Sequence, residues 1–208
     1  LLVVGGITSI LTALRTEPMA NVFGAFFVGP ILSYFLSALL LREPITPIRT
    51  LLLLLGFMGV LLVVKPGFGM TPGLGFAVLA GTFYGGFLTA SRWLAQVGRP
   101  RALMLTQLVI GALVLAPFGL MTMPPLTLPV VALSGASALG SMLGNLLLIL
   151  ALRLAPASRV APFVYMQLVA ATALGWIVFG DLPDLLATLG LALLIVTGLA
   201  SLTLRERP

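Results

Sequence analysis

Residues 145–181, NLLLILALRLAPASRVAPFVYMQLVAATALGWIVFGD, decide how this chain is built. They read as the end of one apolar helix, a short turn carrying Arg153, a second full helix and an acidic stop at Asp181. The same pattern stands earlier, from Ile7 to Glu43. Arg15 and Arg153, Pro18 and Pro156, and Glu43 and Asp181 are each 138 positions apart. At that offset Ala13-Leu14-Arg15 becomes Ala151-Leu152-Arg153, Gly6 becomes Gly144, and Thr50-Leu51 becomes Thr188-Leu189. An internal repeat of this kind sets the architecture before any single motif is weighed.

The composition says in which solvent that architecture folds. The chain is 60% hydrophobic and 8% charged, with a mean hydropathy of +1.22. Soluble domains carry about 25% charged residues, so this is an integral membrane protein. It has no Cys, which excludes disulfides and thiolate metal sites, and no His, which removes the usual metal ligand and proton relay. Neither a cofactor nor a metal is expected. The net charge of +6 is spread singly between apolar runs, a topology signal rather than a nucleic-acid footprint.

A membrane helix needs about 20 mostly apolar residues. Runs of that kind lie near 19–41, 48–65, 72–94, 102–122, 128–152, 157–179 and 184–203. Leu1 to Leu14 is apolar but too short to span, and it starts on Leu with no basic leader of the signal-peptide kind. It reads as a helix cut in mid-membrane, the chain being an N-terminally incomplete copy of something longer. The fold expected is therefore an all-α polytopic bundle of about seven full spans and one partial. Pro and Gly punctuate the joints at Arg42-Glu43-Pro44, Lys65-Pro66-Gly67, Gly98-Arg99-Pro100, Met123-Pro124-Pro125 and Asp181-Leu182-Pro183.

Sidedness follows from the basic residues. If the tail after Leu204 is cytoplasmic, that side holds Arg42, Arg49, Arg92, Arg99, Arg101, Arg153, Arg159, Arg205 and Arg207. The opposite side holds only Arg15 and Lys65. Nine against two is a positive-inside bias. From the first partial span to its match at 128–152 the count advances by five helices, an odd number, so the two copies cross the membrane in opposite senses. Inverted repeats are characteristic of secondary transporters, with the substrate site near the midplane.

Several stretches carry a family resemblance. They are Leu152-Arg153-Leu154-Ala155-Pro156-Ala157-Ser158, Ala161-Pro162, Tyr165-Met166-Gln167, Leu174-Gly175-Trp176 and Phe179-Gly180-Asp181, with Leu39 to Glu43 and Gly56 to Val64 in the first copy. In these the chain resembles the EamA-type drug/metabolite transporter superfamily. The resemblance implies a parent fold of ten helices in two repeats with both termini cytoplasmic, in the bacterial inner membrane. Residues 1–65 would be the end of the first repeat (third helix in part, fourth and fifth), and 72–204 the second (sixth to tenth). Where the family often has Gly before the first acid, Arg42 stands here. The Tyr-x-Gln and Phe-Gly-Asp-x-Pro-Asp wording is similar to a branch that includes riboflavin and S-adenosylmethionine importers. The function implied is alternating-access movement of a small organic metabolite, such as an amino acid, a vitamin or a nucleoside-like compound, and not an enzymatic one.

No charged residue falls at the centre of a span, which argues against a buried carboxylate relay. The candidate substrate-binding residues are Gln167, Asn145, Tyr165, Tyr84, Tyr34 and Ser141. Ser33 and Ser37 accompany Tyr34, and Trp176 sits where an interfacial belt belongs. Amides and hydroxyls at that depth either line a cavity or hydrogen-bond neighbouring spans. Gly29 and Pro30, at mid-span, are candidates for a hinge, because a proline there frees a backbone carbonyl. Glu43 and Asp181 occupy equivalent turns, either as helix stops or as gate latches that pair with an Arg when their side is closed. Gly81, Gly85 and Gly86, and Gly140 with Gly144, call for close helix contact, within the chain or in a homodimer. Two rival functions stand beside the carrier: an intramembrane enzyme, for which no nucleophile or paired carboxylates are visible, and a non-transporting scaffold or inactive fragment.

Overall fold

The computed structural model describes residues 1–65, 71–121, 123, 125–180 and 182–203. Asp181, Pro66, Gly67, Pro124, Arg205 and Arg207 lie outside them. The described regular structure is helical: α1 (Leu2–Ala13), α2 (Met19–Phe26), α3 (Val28–Leu41), α4 (Pro47–Val64), α5 (Pro72–Val97), α6 (Pro100–Met121), α7 (Leu128–Leu154), α8 (Ala157–Val164), α9 (Met166–Phe179) and α10 (Leu185–Thr203). Six stretches are long and apolar enough to cross a membrane, counting Met19–Leu41 and Ala157–Val178 as one span each. The apolar helices Leu2–Ala13 and Leu185–Ser201 are shorter. Local chemistry fixes several starts. Thr46 and Thr71 accept the backbone N–H of Arg49 and Leu74, with Pro47 and Pro72 as first helical residues. Asp184 accepts from the Ala187 N–H at the head of α10. Each of these caps satisfies a donor the helix cannot pair internally.

The repeat is visible in the helix ends. Shifted by 138, the bounds of α2 become those of α8 and the bounds of α3 those of α9, while α4 maps onto the start of α10. Both broken spans are interrupted at equivalent residues, Phe27 and Tyr165. Pro30 has no N–H for the Phe26 carbonyl, and Pro162 has none for that of Ser158. The released Phe26 carbonyl lies against Gly81, where a Cβ would stand 2.6 Å from it. At the second break Tyr165 N–H reaches back only to Pro162, at 3.3 Å. The two breaks also touch. The Tyr165 hydroxyl donates to the Phe27 carbonyl at 3.3 Å, and the two rings meet edge to face with centroids 5.9 Å apart.

The copies run in opposite directions. The residues after α1, Thr16 and Glu17, meet Thr71 and Gly73 at the start of α5. The end of α7, the counterpart of α1, meets Arg92 near the end of α5, through the Leu152 carbonyl. Arg42 and Lys65 stand at opposite ends of α4, whose 18 residues span about 27 Å. Arg42 adopts the left-handed conformation (φ 54°), as does Gly180 (φ 77°), its counterpart. The turn before Glu43 therefore closes as a glycine turn would, at a cost of about 1–2 kcal/mol for a residue with a side chain.

Packing centres on α5 and on the α4–α10 pair. The Gly85 Cβ would lie 2.6 Å from the Gly29 carbonyl, and that of Gly190 2.7 Å from the Gly59 carbonyl. Gly81 and Gly85 thus serve contacts within the chain. Gly140 and Gly144 do not: a Cβ at either would meet nothing within 4 Å. Within the chain the close contact expected at the second glycine pair is absent: both glycines are exposed, and Gly144 faces a cavity rather than a packed helix. Outward, α6 and α9 show Leu113, Phe118, Leu120, Leu174 and Ile177, each more than half exposed. Contiguous apolar surface of that extent suits hydrocarbon rather than water.

Candidate functional site

A cavity of about 670 Å³ opens between α5, α7, α8 and α9. Gln167, Asn145, Ser141, Tyr84, Phe87 and Phe163 are among its lining residues. Four of the six predicted substrate-binding residues are therefore brought together. Each stands near the middle of its own span: Tyr84 in α5, Ser141 and Asn145 in α7, Gln167 just after the break between α8 and α9. That depth is where a carrier holds its substrate.

Tyr34 and Tyr165 do not join them. Both are 0% exposed and belong to a core cluster with Phe27, Leu53, Val60 and Leu194. Tyr34 shares a hydrogen bond with the Thr50 hydroxyl at 2.9 Å. The Tyr165 ring is seated by Gly56, where a Cβ would come within 2.9 Å of it. Ser33 and Ser37 are also packing residues, joined to Thr89 of α5 across the α3–α5 contact. Gly29 is packed against the same helix and Pro30 is buried beside it, and the break falls at Phe27, just before them. Trp176 is more than half exposed near the end of α9, as an interfacial residue would be.

A second chamber, about 470 Å³, adjoins the first. Tyr84, Phe87, Ser141 and Asn145 line both. The rest of its wall is apolar: Ile7, Ile10, Phe26, Leu108 and Met142 among others. The rings of Phe26, Tyr84 and Phe87 form a near-parallel series. Phe26 and Tyr84 have centroids 4.9 Å apart at 30°, and Tyr84 and Phe87 6.3 Å apart at 26°. Tyr84 and Phe87 thus set aromatic rings in the wall that the two chambers share. Among the described residues, every one that lines the two chambers is uncharged.

The charges sit at the ends of the bundle. Glu43 accepts from Arg92 Nε at 2.8 Å and from the Ser158 backbone N–H, at the head of α8, at 3.3 Å. Arg92 also donates to the Leu152 and Arg153 carbonyls that end α7. One carboxylate and one guanidinium thereby tie α3, α5, α7 and α8 together, and both are largely buried, with side chains 8% and 18% exposed. Each helix end receives the charge its dipole favours. At the other end Lys65 pairs with Asp184 and Thr71 with Glu17, all in exposed positions. The Lys65 ammonium, with help from the Ala187 N–H, holds the Asp184 carboxyl below its ordinary value.

Two residues escaped the reading by sequence. Arg92 counted there only toward sidedness; its partner is set by packing. Gln107 lies in a further cavity with Ser91 and Thr106 on α5 and α6, and its buried amide nitrogen has no partner among the described residues. A lone amide in the apolar run 102–122 was the available signal, the same one that picked out Asn145.

An all-helical bundle with inverted halves and a neutral, amide-bearing cavity at mid-depth defines a membrane transporter. A family model described as the EamA-like transporter family matches residues 71–204, and the chain belongs to that family. A riboflavin transporter of Brucella anthropi is 26% identical over 206 residues, 93% of this chain and 71% of that protein. A crystal structure of a protein shares the fold, with a TM-score of 0.77 at 19% identity over 97% of this chain and 75% of that one.

Proposed function

We propose that this protein moves a small organic metabolite across the bacterial inner membrane by alternating access, with Gln167, Asn145, Ser141 and Tyr84 holding the solute. The observation that carries this is the convergence of these four residues, from three spans, on one cavity at mid-depth. The moving units are residues 1–65 and 72–204, rocking about the contact of Phe27 with Tyr165. Arg-rich turns, including that of Glu43, face the cytoplasm with the C-terminus. Glu43 acts as a latch on that side: its bonds to Arg92 and Ser158 must break for the site to open there. Asp181, its counterpart in the repeat, is the equivalent candidate on the other side. Gly29 and Pro30 supply the fixed packing against which the break can bend. A vitamin of the riboflavin type heads the substrate list, because a relative alignable along nearly the whole chain bears that name.

The test is counterflow in proteoliposomes with labelled neutral metabolites: an amino acid, a nucleoside and riboflavin. Wild-type protein exchanges at least one of them. Gln167→Leu, at equal membrane level, loses that exchange. Unaltered exchange in the variant removes Gln167 from the site, and no exchange by the wild type of any compound favours a scaffold instead.

A further inference from the structure

The two chambers are built by equivalent faces of equivalent helices. Under the offset of 138, Val3 corresponds to Ser141, Gly6 to Gly144 and Ile7 to Asn145. The α1 residues line the smaller chamber; their α7 counterparts line the larger, with Ser141 and Asn145 on the boundary, lining both. The backbone is thus approximately symmetric across Tyr84 and Phe87 while the chemistry is not. Where the second copy has a hydroxyl and an amide, the first has two branched aliphatic side chains. The same holds one span later: Gln167 corresponds to Gly29, which is packed away against α5 and offers nothing to a ligand.

Resting on the carrier reading above, we infer that the site takes an uncharged, flat ring system with two unlike edges, held in a single orientation. One edge, bearing hydrogen-bond donors and acceptors, faces Asn145 and Gln167. The other, bearing alkyl substituents, enters the chamber of Ile7, Ile10 and Leu108. The ring packs against the aromatic rings of Tyr84 and Phe87, which line both chambers. An amide offers two donors and an acceptor, so it satisfies a polar ring edge without demanding a charge. An ionised group at this depth would meet no counter-charge among the lining residues, which makes its transfer from water costly. A molecule polar along both edges would leave one set of groups unpaired against the aliphatic wall of Ile7, Ile10 and Leu108. A molecule alkylated along both would strand the amides.

Two pairs of compounds test this by fluorescence titration of the full chain in nanodiscs. Lumichrome and alloxazine share a tricyclic ring and differ by two methyl groups on one edge. Lumichrome is expected to bind roughly tenfold tighter, the factor two buried methyl groups supply. Riboflavin and its 5′-phosphate differ by an ionised group, and the phosphate is expected to bind at least tenfold more weakly. Ile7→Asn lowers lumichrome affinity and closes the gap between the first pair. Asn145→Leu weakens both members alike and preserves their ratio. Equal binding of lumichrome and alloxazine by the wild type, or of riboflavin and its phosphate, overturns the inference without any variant. Binding of none of the four overturns the ring class as well. The carrier reading is judged separately, by the counterflow of mixed metabolites and its loss in Gln167→Leu.

Discussion

Gly29 and Gln167 occupy the same point in two copies of one broken helix, two residues past the interruption at Phe27 or Tyr165. Around Gly29 the first copy is sealed: a Cβ would lie 2.7 Å from the Gly81 carbonyl, and α3 buries five residues, Gly29, Pro30, Ser33, Tyr34 and Ser37. Around Gln167 the second copy is open, and the residues of α9 are exposed or half-buried where described. The backbone trace is the same and the surroundings are opposite. The difference teaches that a repeat specifies where a membrane helix breaks, while its neighbours decide whether the broken point is sealed or open.

Exchanging the two residues is the most forceful way to break the comparison. Gly29→Gln forces a long side chain into backbone of α5, and no folded protein is expected in a membrane fraction resolved by size-exclusion chromatography. The reciprocal Gln167→Gly should fold, losing about 1 kcal/mol for a glycine inside a helix, and should lose solute binding. Next in size is the largely buried pair of Glu43 and Arg92. Arg92→Ala leaves Glu43 buried without its cation and should cost about 3–5 kcal/mol, read as a drop in thermal unfolding temperature. A third comparison sets one glycine pair against the other. Gly81→Ala, whose Cβ would meet the Phe26 carbonyl at 2.6 Å, should destabilise by about 1–3 kcal/mol. Gly140→Ala, which meets nothing, should instead stabilise by up to about 1 kcal/mol, since alanine replaces a glycine inside a helix.

The smallest effect belongs to the exposed pair at the opposite end. Lys65→Ala should leave the unfolding temperature unchanged at physiological salt, because exposed pairs are screened and contribute little. Its pH dependence has a definite sign. The folded Asp184 carboxyl lies below its unfolded value, so whatever the pair contributes is complete above the ordinary carboxylate range. It is lost as pH falls through the lower folded value. Acylation of Lys65, followed from neutral pH into acid and normalised to an exposed reference amine, should rise only at the acidic end.

Much of this molecule was legible in its sequence. The apolar runs and the 138-residue offset marked out the spans and the inversion, and Gly29-Pro30 stood two residues from the first interruption; the second, at Tyr165, falls inside a run that reads as one full helix. Lone amides at mid-span pointed to the cavity: Asn145 and Gln167 line it, and Ser141 and Tyr84 come with them. The other tyrosines were not separable by the same rule. Tyr34, Tyr84 and Tyr165 each lie in an apolar span, and only the rotation of each helix toward its neighbours distinguishes a core ring from a cavity wall. Arg92 shows the same limit for charge, since its distance from Glu43 in the chain carries no trace of their contact.

Length, composition and repetition determined by themselves that this chain spans a bilayer in two opposed copies, because apolar run length and proline placement act through the local backbone. Which faces were sealed, which stayed open, and which polar groups meet at mid-depth was decided by tertiary packing. Lipid and protein interior are equally apolar, so a span's own sequence does not say which of the two its side chains will meet.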